Sequence, residues 1–253
     1  MIWIILIVWV IVIFVSTVFI SQYIKMQNRE DVAIALYVLF ITMAQIMAAK
    51  IGDFSIFGIE ITAPTAVIIF PFTFQITDMV NESFGRKATH RMIFIAFVTQ
   101  IFMTIFIWFS IEINPANFWG FDFGSNPSEA QAFWTTFFGS AIRITIASWI
   151  SFIITENLDA LLYSKIRDLT GGKQLWIRNV FSDIPMLALD SFIFVTIAFL
   201  GVINIWPVIF GQILTKWFFG VLDTPFMYLA RGIIDGRVKI LGNLFAKKKD
   251  NLE

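Results

Sequence analysis

The sequence contains no cysteine and few charged residues, and both shortages narrow the class of protein. Without cysteine there are no disulfides and no thiolate metal sites. Charged residues make up 14% of the 253 residues and hydrophobic residues 58%, whereas an ordinary soluble domain carries about 25% charged residues. So few charges cannot cover the surface of a soluble fold of this size. The composition therefore predicts an integral membrane protein.

Motifs of the common enzyme classes are also missing. Gly171-Gly172-Lys173 is not a phosphate-binding P-loop, because the earlier glycine is absent and Gln174 follows. The sequence has no GxSxG nucleophile elbow and no HExxH zinc motif. The single histidine, His90, lies among basic residues and is expected in solvent rather than on a metal. We therefore expect no enzymatic activity, no metal and no cofactor.

Seven long apolar stretches dominate the chain, and a membrane-spanning helix needs roughly 20 such residues. The stretches cover about 1–24, 32–50, 61–80, 90–111, 130–163, 179–201 and 204–232. This pattern predicts an all-α polytopic membrane helix bundle forming one transmembrane domain over 1–253, with 233–253 as a cytoplasmic tail. Residues 1–24 have no basic start and no small-residue cleavage site, so we expect a retained helix rather than a signal peptide.

Basic residues are confined to alternate loops and to the tail. Of the 18 Lys and Arg residues, all but Lys50, Arg143 and Lys216 lie in or beside the first, third and fifth loops or after the last stretch. Loops rich in Lys and Arg stay in the cytoplasm. The distribution predicts an N-terminus outside and a cytoplasmic C-terminus. Residues 247–249 then signal topology or contact anionic lipid, so no nucleic-acid partner is expected.

Charged residues inside the apolar stretches mark the candidate site. Arg143, Asp190 and Lys216 each fall near the middle of a stretch, so we expect them to share one layer of the bilayer. A charge at the bilayer centre costs on the order of 3 kcal/mol, so each one needs a reason. Other polar residues lie nearer the cytoplasmic side: Asp78, Asn81, Glu82, Glu156, Asp159, Asp183 and Asp223.

Two interpretations of these charges are open. Buried ion pairs, such as Asp190 with Lys216 or Arg143, can fix the register between helices. The low carboxylates can also lie in headgroups or water. Alternatively, the charges line a path for a solute, which is the usual role of ionisable residues inside a membrane. Their spread over four stretches favours the path.

Five stretches carry a family resemblance. They are MAQIMAAKI (43–51), FPFTFQITDMVNESFGRK (70–87), TIASWISFIITENLDALLY (145–163), LWIRNVFSDIPMLALDSFIFVTIAFLG (175–201) and ILTKWFFGVLDTPFMYL (213–229). In this order they resemble the motifs of the queuosine precursor transporter family, over residues 32–232. The resemblance implies a six-helix core similar to the substrate-binding components of vitamin transporters, with residues 1–24 as an extra helix. Two departures, Gln45 in place of Asn and Leu187 in place of Gln, leave a different ligand open.

The resemblance also implies a function, namely uptake of 7-deazaguanine bases. One carboxylate can accept both the ring N–H and the exocyclic amine of such a base, while its carbonyl needs a donor and its face an aromatic ring. We expect Asp190 to be this carboxylate. The full set of predicted substrate-binding residues is Asp190, Lys216, Arg143, Gln45, Lys50 and Gln212. The predicted gate or structural polar network comprises Asp78, Asn81, Glu82, Glu156, Asp159, Arg178, Asn179 and Asp223.

Other functions remain as alternatives. The chain can instead take up another vitamin or a purine as the substrate-binding subunit of an ATP-driven transporter, with an energising ATPase module docked at Ala44 and Ala48. It can also be an intramembrane enzyme or a non-transporting membrane scaffold. The expected partners are thus a small-molecule substrate and the lipid bilayer, with a homo-oligomer and the ATPase module left open.

Overall fold

The computed structural model describes residues 2–56, 59–139, 142–171, 175–201 and 204–238. Within these residues the chain forms eight α-helices and one β-hairpin. The helices are α1 (Ile2–Gln27), α2 (Asp31–Ala48), α3 (Phe70–Phe84), α4 (Arg86–Glu112), α5 (Pro127–Gly139), α6 (Ile142–Leu169), α7 (Leu175–Phe199) and α8 (Ile205–Ile234). The strands are β1 (Ile51–Ile56) and β2 (Ile59–Pro64), and short 3₁₀ turns cover Thr65–Ile68 and Phe121–Phe123.

The predicted all-α polytopic membrane bundle is confirmed. Five of the helices in the described ranges are long and apolar enough to cross a membrane: α1, α2, α4, α6 and α8. The third stretch is shorter, since α3 has 15 residues and covers only about 22 Å. In the sixth stretch, α7 has 25 residues. The last turns of α3, α6 and α8 meet through Glu82, Arg167 and Arg231, close to the basic loops, and we call this the basic end of the bundle. The hairpin joins the end of α2 to the start of α3 on the opposite side, which we call the hairpin end.

The expected helix from residue 61 is wrong in its first half. Residues 59–64 form β2, which pairs antiparallel with β1 from Ile51↔Pro64 to Ile56↔Ile59. The alternating, β-branched sequence Ile59-Glu60-Ile61-Thr62 suits a strand. The α-helix begins only at Phe70, where Pro71 fits the first turn because its missing N–H is not needed there. It ends at Gly85, whose φ of 81° favours glycine.

The fifth predicted stretch, 130–163, is also divided. It holds α5 and α6, with residues 140–141 outside the described ranges between them. The longer helix, α6, runs on to Leu169. It packs most extensively against α7, which in turn packs against α8. These three helices, together with α2, α3 and α4, surround the interior described below.

The hairpin lies against α8 and covers the interior at its end of the bundle. Gly211 of α8 makes this contact close, because a Cβ there would lie 2.5 Å from the carbonyl oxygen of Thr62. Only glycine leaves room for the strand backbone at that position. Pro64 and Ala66, at the end of the hairpin, therefore lie next to the helices that hold the central charges.

The first helix is an integral part of the bundle. Trp9 donates its indole N–H to the carbonyl oxygen of Ile68 at 2.8 Å. Its ring centroid lies 5.4 Å from that of Phe72 and 4.8 Å from that of Phe219. Such aromatic pairs contribute about 0.5–1.5 kcal/mol beyond their area. These contacts fix α1 against α3 and α8.

Candidate functional site

An ion pair lies at the centre of the bundle. Asp190 of α7 and Lys216 of α8 are 3% and 0% exposed, and the Lys216 ammonium donates a hydrogen bond to Asp190 Oδ2. Ser151 of α6 donates to Asp190 Oδ1 at 2.5 Å. The ammonium also lies 4.1 Å from the ring centroid of Phe70 on α3, in a cation–π contact. Four helices thus converge on one carboxylate.

The sequence predicted that three central charges share a layer. The structure brings Asp190 and Lys216 into contact. The third, Arg143, lies at the start of α6, and its side chain is outside the described part of the structure. Whether it joins the pair stays a prediction.

A narrow pocket opens beside Asp190. It is lined by residues of α2, α3, α4, α6, α7 and α8 and by the end of the hairpin, and it holds about 30 Å³ of free space, little more than a water molecule needs. Four aromatic side chains form much of its wall: Phe70, Trp149, Phe152 and Phe194. Ligand pockets in proteins usually enclose about 300–1,000 Å³ and have mostly apolar walls with a few placed polar groups. The pocket thus has the composition of a small-molecule site, and its walls must move apart to admit a base.

Three glutamine side chains supply the neutral polar groups of this pocket. Gln45, Gln100 and Gln212 come from α2, α4 and α8, and the amide oxygen of each has no hydrogen-bond partner within the described residues. The indole N–H of Trp149 likewise has none there. An unsatisfied buried polar group costs about 1–3 kcal/mol, so proteins seldom keep several together without use. The pocket is therefore suited to a flat molecule with hydrogen-bonding groups along its edges.

A second, larger cavity adjoins the first. It encloses about 390 Å³ among α2, α4, α5 and α6, within the usual range of ligand pockets, and has largely apolar walls. Gln45 and Trp149 line both cavities, so these two side chains separate the larger space from the pocket at Asp190. Lys50, a predicted substrate-binding residue, is exposed at the hairpin end and lines neither cavity.

Polar contacts continue from the pocket toward the basic end along α6. Five side chains of this helix make them, and we call this set the polar seam: Ser151, Glu156, Asp159, Ser164 and Arg167. These residues span 16 positions, or about 24 Å of helix. The seam begins at Asp190, which Ser151 contacts, and each further member contacts another helix.

Buried carboxylates occupy the middle of the seam. Glu156 is 1% exposed and accepts hydrogen bonds at Oε2 from Tyr37 of α2, at 2.7 Å, and from Thr77 of α3, at 3.0 Å. Asp159 is fully buried and accepts from the Ser182 hydroxyl of α7. Hydroxyl groups rather than cations make the described hydrogen bonds to these two acids.

At the basic end, the seam meets the last turns of α3. Asn81 donates to the carbonyl oxygen of Ala160 at 3.1 Å and accepts from Ser164 at 3.2 Å. Glu82 lies 3.9 Å from Arg167 Nε and 3.7 Å from a guanidinium nitrogen of Arg231 on α8. Glu82 therefore joins α3, α6 and α8, which closes this end of the bundle.

The structure describes the side chains of some of the remaining predicted network residues and not of others. Asp78 is fully buried one turn before Glu82. Asp223 on α8 is 1% exposed, and its carboxylate has no hydrogen-bond partner in the ranges that the structure describes. The side chains of Arg178, Asn179 and Asp183 lie outside those ranges, so the predicted gate contacts of Arg178 and Asn179 stay predictions.

Sequence reasoning missed Gln100, Trp149 and Ser151. Gln100 is a neutral amide inside the fourth apolar stretch, and that location was the only feature of the sequence that could have marked it as a site residue. Ser151 and Trp149 fall within a family motif, but a small hydroxyl and a ring are common in any membrane helix. The role of these three side chains depends on which sides of α4 and α6 are turned toward the interior of the bundle.

Removing one charge of the central pair should destabilise the protein more than removing both. Lys216→Met leaves the Asp190 carboxylate buried without its cation, which we expect to cost about 3–5 kcal/mol. The double variant Asp190→Asn with Lys216→Met carries neither charge and should recover most of the loss. Thermal unfolding of the purified variants in detergent measures both effects. A double variant as unstable as the single one would contradict the pairing.

Comparison with known proteins identifies the family of the chain. A family model described as "Putative vitamin uptake transporter" matches residues 64–230, which include Asp190 and Lys216. The chain is 28% identical over 183 residues to a "Probable queuosine precursor transporter" of Bacillus subtilis (strain 168), covering 71% of this chain and 75% of that protein. It is 26% identical over 132 residues to a protein of the same description from Haemophilus influenzae, covering 52% and 50%. No solved structure gives a significant match.

The family model matches about two thirds of the chain. The chain therefore belongs to the vitamin uptake transporter family, a family of multi-pass membrane transporters and not of enzymes.

Proposed function

We propose that the protein takes up 7-deazaguanine-type bases, the precursors of queuosine, and binds them in the pocket beside Asp190. The similar proteins of Bacillus subtilis and Haemophilus influenzae are described as probable transporters of queuosine precursors. The observation that carries the proposal is the pocket itself. It combines a buried carboxylate, three amide oxygens without described partners and aromatic walls, and it adjoins a larger cavity of about 390 Å³ from which a ligand can enter as the walls move apart.

The chemistry of such a base matches these groups. Its ring N–H and exocyclic amine are donors, and carboxylate and amide oxygens accept them. Its carbonyl oxygen accepts, and the Trp149 indole N–H is a donor without a described partner. Its flat face stacks on rings such as Phe70 and Phe152. Asp190 already accepts from Ser151 and Lys216, but each carboxylate oxygen has two acceptor sites, so both retain one for the ligand.

The departures from the family motifs also fit this pocket. Leu187, where relatives often carry Gln, is fully buried, and it is not among the pocket's lining residues. Gln212 of α8 does line the pocket and is 1% exposed. We infer that Gln212, with Gln45, supplies the amide groups that hold the ligand here.

A route across the membrane follows from the two cavities and the seam. The substrate enters the larger cavity, passes Gln45 and Trp149, and binds at Asp190. It leaves along the polar seam once the contacts of Glu82 with Arg167 and Arg231 open. The hairpin end then faces outside and the basic end faces the cytoplasm, as the positive-inside rule requires.

Asp190→Asn should abolish most uptake. The amide keeps the size of the side chain but replaces one acceptor oxygen with a donor, so it opposes the ligand's donors and Lys216. We expect uptake of labelled 7-deazaguanine by expressing cells to fall at least about tenfold, equivalent to about 1.4 kcal/mol, at equal abundance in the membrane. Asp122→Asn, at an exposed loop position, is the matched control and should keep full uptake. Unchanged uptake by Asp190→Asn would remove this residue from the site.

The orientation can be measured directly because the chain has no cysteine of its own. Single cysteines are introduced as Asp122→Cys at the hairpin end and Arg237→Cys at the basic end, both at exposed positions. A membrane-impermeant thiol reagent should label position 122 in intact cells and position 237 only after permeabilisation. The opposite labelling would reverse the proposed direction of the route.

A further inference from the structure

The orientation of the Gln100 amide group is fixed by its neighbours. Gln100 lies in the middle of α4, is 1% exposed and lines the pocket at Asp190. Its amide nitrogen donates to the hydroxyl oxygen of Thr42 on α2 at 2.9 Å. Its amide oxygen has no partner in the described part of the chain.

Thr42 determines which end of the amide faces the ligand. The Thr42 hydroxyl has a single proton, and it donates that proton to the carbonyl oxygen of Val38 at 2.8 Å. While the hydroxyl keeps this bond, its oxygen accepts from Gln100. A Gln100 amide rotated by half a turn would then set two acceptor oxygens against each other unless the hydroxyl gave up the Val38 bond. The Val38 bond therefore favours the nitrogen toward α2, which leaves the oxygen on the side of the pocket.

A buried acceptor of fixed orientation discriminates between ligands. A ligand N–H at this position satisfies the oxygen, whereas a ligand acceptor or C–H leaves it unpaired, which weakens binding about tenfold or more. Sites built around such a hydrogen bond reject ligands that lack the donor far better than apolar sites reject a missing methylene. The other two pocket amides, Gln45 and Gln212, make no described hydrogen bond that fixes them, so they can rotate to suit a donor or an acceptor.

We infer that Gln100 determines specificity by accepting one N–H from the edge of the bound base, and that Thr42 is the residue that positions it. This inference rests on the proposed function, because it assumes that a base occupies the pocket. It names Gln100 as the group that selects bases with a donor at one particular edge position. Trp149 and Asp190 line the same pocket and also contact the base, but they do not select for the donor that Gln100 accepts.

The test compares 7-deazaguanine with three analogues that each lack one N–H-bearing group and add little bulk. One lacks the exocyclic amine, one is 2-amino-7-deazapurine, which loses the ring N–H together with the carbonyl oxygen, and one has a furan oxygen in place of the pyrrole N–H. Affinities are measured on the purified full chain in lipid nanodiscs. Gln100→Leu should weaken 7-deazaguanine about tenfold or more. For one analogue, the variant should bind as tightly as wild type or more tightly, since the N–H that Gln100 accepts is absent and leucine leaves no oxygen unpaired.

The Thr42 variants separate positioning from packing. Thr42→Val keeps the shape of the side chain but removes the hydroxyl, so the Gln100 amide can rotate. The preference for 7-deazaguanine over the analogue that lacks the N–H accepted by Gln100 should then shrink. Thr42→Ser keeps the hydroxyl and should keep the preference. The inference is overturned if Gln100→Leu leaves all four affinities unchanged or lowers all four by the same factor. If wild type binds none of the four, the proposed function fails instead, and the inference with it.

Discussion

A buried pair of opposite charges constrains the centre of this bundle. Asp190 and Lys216 lie in an interior where neither ion is tolerated alone, since each unpaired buried charge costs several kcal/mol. The pair therefore sets the register of α7 against α8. Ser151 adds α6 and Phe70 adds α3 to the same point. Because these four helices meet at one ion pair, the positions of the pocket walls beside it depend on that pair.

The pocket and the seam are two consequences of this arrangement. On the side of the hairpin, rings and glutamine amides surround a space whose polar groups are only partly used by the protein. On the opposite side, hydroxyl groups, Asn81 and Glu82 connect the helices around α6 and close the bundle. Unpaired oxygens remain on this side too, at Asp159 and Asp223, within the described residues.

The sequence predicts the central pair better than it predicts the walls of the pocket. Depth along each apolar stretch places Asp190 and Lys216 in one layer, and a charge in a membrane is a strong signal. Gln100 gives a weak signal, because a neutral amide costs little in a helix and only the rotation of α4 decides where it points. The hairpin at 51–64 was missed because 51–60 lie in a predicted loop, and 61–64 run directly into the apolar residues before α3, so hydropathy assigned them to the helix.

The central claim is that a flat base binds in the sheltered space beside Asp190. An experimental structure of the protein with 7-deazaguanine bound tests it most directly. The account predicts the base between the aromatic walls, with one edge against Asp190 and an N–H on Gln100. A base bound instead near Glu82 at the basic end, or an unchanged pocket with no base beside the Asp190–Lys216 pair, would contradict it.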